Sequence, residues 1–160
     1  MSPAKDQVWS LDLAIAPEGA RQRIAANINK RGKRAFGVLK TANEYVGVVA
    51  DHEFEIWERQ KRAVHARGRV VARHRGTRLE VSFVVPGRTR FLLGLFFVLY
   101  VLAALGIAMQ PPEPSVTAGE IVVAVAGAVV LAVIFRLGAR SQRGDLRALL
   151  ERSFADVPRI

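Results

Sequence analysis

The sequence has no cysteine, three histidines and two each of methionine, tryptophan and tyrosine among 160 residues. Without a thiol there is no disulfide framework, no thiolate zinc site and no cysteine nucleophile. No G-x-x-x-x-G-K-[ST] or G-x-G-x-x-G loop occurs, so neither common phosphate cradle of a nucleotide-binding enzyme is encoded. Acids are also scarce, 14 against 24 Lys and Arg, which leaves a formal charge of +10 at pH 7. Apolar residues are abundant at 51%, and mean hydropathy is +0.18 despite the charge. A soluble basic protein is hydrophilic on average, so apolar and basic residues must be segregated along this chain. At 17.6 kDa there is room for one domain, or for one small domain with membrane spans.

Two uncharged stretches carry the apolar excess. Residues Phe91 to Met109 read FLLGLFFVLYVLAALGIAM, nineteen residues that as a helix reach about 28 Å, enough for a bilayer core. A second run, Ile121 to Phe135, reaches span length when continued through Arg136 to Ala139, and Arg136 can snorkel to the headgroups. A domain this small cannot surround two helices that are apolar on every side, so a transmembrane hairpin is expected. Residues 1–90 hold 18 Lys and Arg and 136–160 hold 6, whereas the connector QPPEPSVTAGE (110–120) holds none. Cations near span ends are retained on the cytoplasmic side, which predicts a multi-pass protein of the cytoplasmic membrane with both termini inside and the connector a tight external turn. Ala124, Ala128 and Ala132 recur every fourth residue in the second span, as do Ala104 and Ala108 in the first. Such small residues let helices approach closely, and they are expected to pack the hairpin or, alternatively, to form a homodimer.

The part before the spans reads as mixed α and β. Trp9 to Ile15 alternates as a half-buried strand, and Pro17 to Ile28 spaces Ala20, Ile24 and Ile28 as an amphipathic helix, ended by the basic run Lys30 to Arg34. YVGVVA and EFEIWE, separated by Asp51 and His52, predict a hairpin that pairs Val49 with Phe54. A second hairpin follows if Arg75 and Gly76 form its turn, facing Ala72 with Leu79, Val70 with Val81, Gly68 with Phe83 and Ala66 with Val85. Phe83 is then expected to cover the bare Gly68. The opposite side carries Arg67, Arg69, Arg73, Arg78 and Glu80, predicting a four-stranded meander with one basic face. The apolar face needs a cover, for which the first helix and the segment DLRALLERSF (145–154) are available; that segment either docks on the sheet or lies on the membrane.

The predicted architecture is an α+β membrane protein. Residues 1–88 form a cytoplasmic antiparallel β-meander with flanking helices, residues 89–139 a two-helix transmembrane hairpin, and residues 140–160 a cytoplasmic amphipathic helix. The stretch GVVADHEFEIWER followed by GRVVARHRGTRLEV resembles a group of small uncharacterised bacterial two-span membrane proteins with a cytoplasmic β-meander and a G-x-V-x4-F-x-I-x-R pattern. Gly47, Val49, Phe54 and Ile56 carry that resemblance, with Arg59 close behind and with Gly68, Val70, Gly76 and Thr77 in the following hairpin. The layout is also distantly similar to bacterial pleckstrin-homology-like membrane proteins. The first resemblance implies a bacterial inner membrane, and neither implies an activity.

Candidate chemistry is sparse. Arg67, Arg69, Arg73, Arg78, Arg88, Arg90, Arg140 and Arg143 are the residues expected to contact anionic lipid, each cation being worth about 1 kcal/mol near a negative leaflet. The competing explanation is topology alone, and Glu53 and Glu55 are placed to pair with Arg67 and Arg69. His52, His65 and His74 are too scattered for a metal motif, and no partner is expected for Glu53, Glu55 or Glu58 in acid–base work. No catalytic residue, metal or cofactor is expected, and with Trp57 and Tyr45 as the only stacking aromatics nearby, nucleic acid is not an expected partner. The expected function is a non-catalytic interaction or accessory module on the membrane. The alternatives are a pleckstrin-homology-like module binding anionic headgroups and, third, a membrane-anchored enzyme.

Overall fold

The structure is a computed structural model and describes residues 8–30, 44–109 and 117–160. Most of the basic run beyond Lys30 and most of the expected external turn therefore lie outside the described residues. The chain divides into two compact units, one made of Met1–Val85 with Ser141–Ile160 and the other of Pro86–Arg140.

In the first unit, β1 (Trp9–Leu13) alternates as expected and buries Leu11 and Leu13. The helix α1 (Pro17–Ala26) has proline in its first turn, where the missing N–H is no loss. Ala20 and Ile24 point inward, and Ile28 joins them from just beyond the helix. The helix stops before Ile28 because Asn27 takes the C-cap and its side-chain amide donates to the Arg23 carbonyl at 3.0 Å.

Five further strands complete the sheet: β2 (Asn29–Lys30), β3 (Tyr45–Val49), β4 (Glu53–Glu58), β5 (His65–Arg73) and β6 (Gly76–Val84). Their order is β1-β6-β5-β4-β3-β2, an open sheet whose edges are β1 and β2. All neighbours are antiparallel except β2, which runs parallel to β3 over two residues. The expected meander is present as β3 to β6, and β1 extends it beyond β6. The first hairpin has the predicted register, Val49 opposite Phe54, with Asp51 and His52 as its turn.

The second hairpin differs from expectation by two residues. Its turn is His74–Arg75, so that Arg73 faces Gly76, Ala72 faces Thr77, Val70 faces Leu79, Gly68 faces Val81 and Ala66 faces Phe83. Gly76 belongs to the ladder with φ at +152°, and a Cβ there would overlap the Leu13 carbonyl oxygen on β1. Only glycine tolerates both conditions. The Thr77 hydroxyl, almost fully buried, donates to the Ile15 carbonyl at 2.7 Å and fixes the same register. A two-residue slip preserves side-chain parity, so Ala66, Gly68, Val70, Leu79 and Val81 are buried as expected, whereas Ala72 is exposed and Phe83 and Val85 are half-buried. Gly68 is covered by the Phe54 ring on β4, not by Phe83.

The helix α3 (Ala118–Ser153) is continuous over 36 residues. Its start at Ala118 is set by a capping box: Glu120 N–H donates to the Thr117 hydroxyl at 3.3 Å, and the Glu120 carboxylate accepts from Thr117 N–H at 2.8 Å. Its last turns belong to the sheet unit, where Leu146, Leu150 and Phe154 are buried and Val157 follows. Polar contacts pin this segment to each neighbour. Gln142 accepts from Val64 N–H at 3.0 Å, the Arg147 guanidinium lies 5.5 Å from the Trp9 ring centre, and Arg23 of α1 pairs with Asp156. The chain end then runs beside β1, with Ala14 N–H donating to Pro158 O at 3.0 Å and Ile160 N–H to Asp12 O at 3.3 Å. Of the residues before the apolar stretches, α1 supplies part of the cover; the end of the chain supplies the rest.

The second unit contains α2 (Gly87–Ala108) and the first part of α3. Both helices are long and apolar enough to cross a membrane by length and composition. Their outer surfaces expose Phe91, Leu92, Leu102 and Ile107 on α2 and Val122, Val123, Val129 and Ile134 on α3. Between them, the Tyr100 hydroxyl donates to the Ala124 carbonyl at 3.0 Å, and Gly127 leaves the space the phenol occupies.

Candidate functional site

The face of the sheet opposite α1 and the end of α3 is a lattice of alternating charge. One cross-strand row reads Ser10, Glu80, Arg69 and Glu53, and the next reads Ser82, Arg67, Glu55 and Val48. Arg69 Nε reaches Glu53 at 3.0 Å, and Arg67 Nε reaches Glu55 at 3.0 Å, the two pairs expected from the sequence. At the far end, Arg78 grips Asp12 with two bonds of 2.7 and 2.8 Å. The expected basic face is therefore not basic. Arg67, Arg69, Arg73 and Arg78 share it with Asp12, Glu53, Glu55 and Glu80, four cations against four carboxylates. The acids of β4 were anticipated from the sequence, and Asp12, which β1 brings opposite Arg78, was not. A concavity of about 610 Å³ on this face is lined by the Glu53–Arg69 and Glu55–Arg67 pairs, Ser82 and the exposed Val8 and Val48.

The same face holds an acid–imidazole pair that the sequence reading did not find. His65 Nδ1 lies 2.8 Å from Glu55 Oε1, and its ring stacks on Trp57 with centroids 4.9 Å apart. The contact is diagonal, since Glu55 faces Arg67 and Trp57 faces His65 in the ladder, so only the β4–β5 register reveals it. Burial pushes the Glu55 carboxyl up, but the bonds from His65 and Arg67 outweigh it and hold the group below its ordinary value. The Arg78 hydrogen bonds likewise hold Asp12 low, and Arg23 does the same to Asp156. Burial raises the Tyr45 phenol, helped by Glu44, Asp145 and Glu58. The Ser82 hydroxyl donates to the Arg67 carbonyl oxygen at 3.3 Å and so is not aimed at His65. Among the described residues no group of three or more His, Asp or Glu is placed to hold a metal ion.

The other arginines singled out from the sequence lie on the long helices. Arg88 and Arg90 are exposed in the first turn of α2, and Arg140 and Arg143 are exposed on α3. Arg136, Arg140 and Arg143 follow at i, i+4 and i+7 and so share one stripe of that helix. Of the small residues, Ala104, Ala108, Ala124 and Ala128 are wholly or partly covered, whereas Ala132 is exposed. Gly127 and Leu131 are the covered positions that continue the Ala124 and Ala128 face, because an α-helix repeats every 3.6 residues and a strict spacing of four drifts off the contact.

A further basic cluster was not singled out from the sequence as a site. Arg59, Gln60, Lys61 and Arg62 are consecutive exposed residues in the loop joining β4 to β5. Arg59 N–H donates to the Glu44 carbonyl at 3.0 Å at one end, and Val64 N–H donates to Gln142 at the other.

Compared with known proteins, the chain matches no protein-family model, no curated protein and no solved structure. Of the resemblance drawn from the sequence, the structure bears out the coarse layout, an antiparallel sheet accompanied by two long apolar helices.

Proposed function

We propose that the chain is a two-span integral protein of a bacterial inner membrane, with both termini cytoplasmic and a β-sheet domain that serves interaction and not catalysis. One observation carries the reading: α2 and the first part of α3 present large apolar side chains outward along their length, and none of either apolar window is buried within the protein. Such a surface in water far exceeds the few hundred Å² that soluble monomers expose. The 18 cations before the spans and 6 after them, against none in the connector, support the orientation. A non-catalytic role is favoured by the sheet face, whose titratable groups are largely committed to one another in ion pairs. The same pairing argues against a headgroup site built on Arg67, Arg69 and Arg78.

The test is extraction of the expressed full-length protein from membranes at alkaline carbonate pH. Integral spans keep it in the pellet until detergent is added. Release into the carbonate supernatant overturns the reading.

A further inference from the structure

The concavity on the sheet face lies wholly within the sheet unit and is apolar at both ends. Its central row reads Ser82, Arg67 and Glu55 across β6, β5 and β4 and closes on Val48 of β3, while Val8 lies one residue before β1. Arg69 and Glu80, directly opposite each other, belong to the adjoining row. A volume of about 610 Å³ is in the range of small-molecule sites.

The charges that line it are bonded unevenly. Glu55 is held by His65 and Arg67, and Glu53 by Arg69. Glu80, the third carboxylate, makes no hydrogen bond or ion pair among the described residues. Arg67 and Arg69 each hold their carboxylate through Nε alone, at 3.0 Å, whereas Arg78 closes on Asp12 with Nε and a terminal nitrogen. The terminal nitrogens of Arg67 and Arg69 therefore keep donors for a further acceptor. Alternate residues of one strand stand about 7 Å apart on the same face, so one small anion can meet both guanidinium ends.

We propose that this concavity binds an apolar α-amino acid, with its carboxylate between the Arg67 and Arg69 guanidinium ends, its ammonium on Glu80 and its side chain against Val8. Charge complementarity selects the ligand. A lone phosphate or carboxylate meets three carboxylates along with the two guanidiniums, and a lone amine meets the guanidiniums. A zwitterion matches both signs and leaves the existing pairs in place, through charge-assisted bonds. Because Arg69 and Glu80 face each other across the ladder, acid and amine on a single carbon reach both. The proposal does not depend on the span reading above.

Equilibrium dialysis of radiolabelled L-leucine against the full-length protein in detergent micelles, corrected for protein-free micelles, tests it. Leucine should bind saturably below about 10 mM. Leucinamide, which lacks the carboxylate, and isocaproate, which lacks the ammonium, should each compete about tenfold more weakly than leucine. R69Q and E80Q should each weaken leucine binding about tenfold, whereas R73Q, on the same face but outside the concavity, should leave it unchanged. The analogue series on the parent protein decides the matter even where a substitution impairs folding. Absence of saturable leucine binding, competition by either analogue equal to that of leucine, or binding that survives both R69Q and E80Q overturns the proposal.

Discussion

Gly68 and Phe54 show how single residues set this sheet. A side chain at position 68 would overlap the Phe54 ring, which lies across the strand directly opposite. Gly68→Ala is therefore expected to destabilise the sheet unit by about 1–3 kcal/mol, as overpacking of a filled core does, and Phe54→Leu should recover part of that loss. Chemical denaturation in detergent micelles measures both. The ionised pairs make a second prediction. Asp12, Glu55 and Asp156 all titrate below their ordinary values in the folded protein. Their stabilisation is present above the unfolded carboxylate pKa, near 4, and is lost as pH falls through the lower folded values. The melting temperature of the sheet unit should thus hold at neutral pH and fall as pH drops below about 4, with a smaller fall in Asp12→Asn. A flat profile over that window would contradict the pairing. At this scale the sequence was only partly legible. The Glu53–Arg69 and Glu55–Arg67 pairs could be read from strand spacing, but the Glu55–His65 contact and the Asp12–Arg78 grip depend on which strands become neighbours.

Elements were legible in kind and face more than in register. Alternation in β5 and β6 assigned the face of Ala66, Gly68, Val70, Leu79 and Val81 correctly because a two-residue slip leaves parity unchanged, although Ala72 near the turn is exposed; the turn itself was misplaced because Gly76 was read as a turn residue. Its glycine answers instead to the close approach of Leu13 on β1. The T-x-x-E box that starts α3 stands in the sequence at Thr117 to Glu120, inside the stretch read there as connector, so the helix begins three residues before the expected span. The same helix anchors the sheet unit through Gln142, whose side chain satisfies the buried Val64 N–H. Gln142→Leu keeps the bulk and removes the acceptor. It is expected to cost about 1–3 kcal/mol, the usual penalty for a buried donor left unpaired, while the neighbouring exposed Gly144→Ala should not destabilise. Equal stability of Gln142→Leu and the parent would show that Val64 finds another acceptor.

For the whole molecule, segregation of charge and apolarity is the feature that composition alone announced, and the two compact units express it. One is an apolar helical pair. The other is a sheet covered by α1 and by the far end of the chain, with Leu146, Leu150 and Phe154 completing the closure of the face that β1 to β6 leave apolar. Composition could not disclose that the apparent basic face is neutral, since net charge is blind to which strands adjoin. The central claim is that the chain crosses the membrane twice, with the sheet unit inside and the connector outside. Single-cysteine variants in spheroplasts, treated with a membrane-impermeant maleimide, test it most directly. The label should reach S115C in intact spheroplasts and Q60C only after lysis. Labelling of Q60C in intact spheroplasts, or protection of S115C until lysis, would contradict the account.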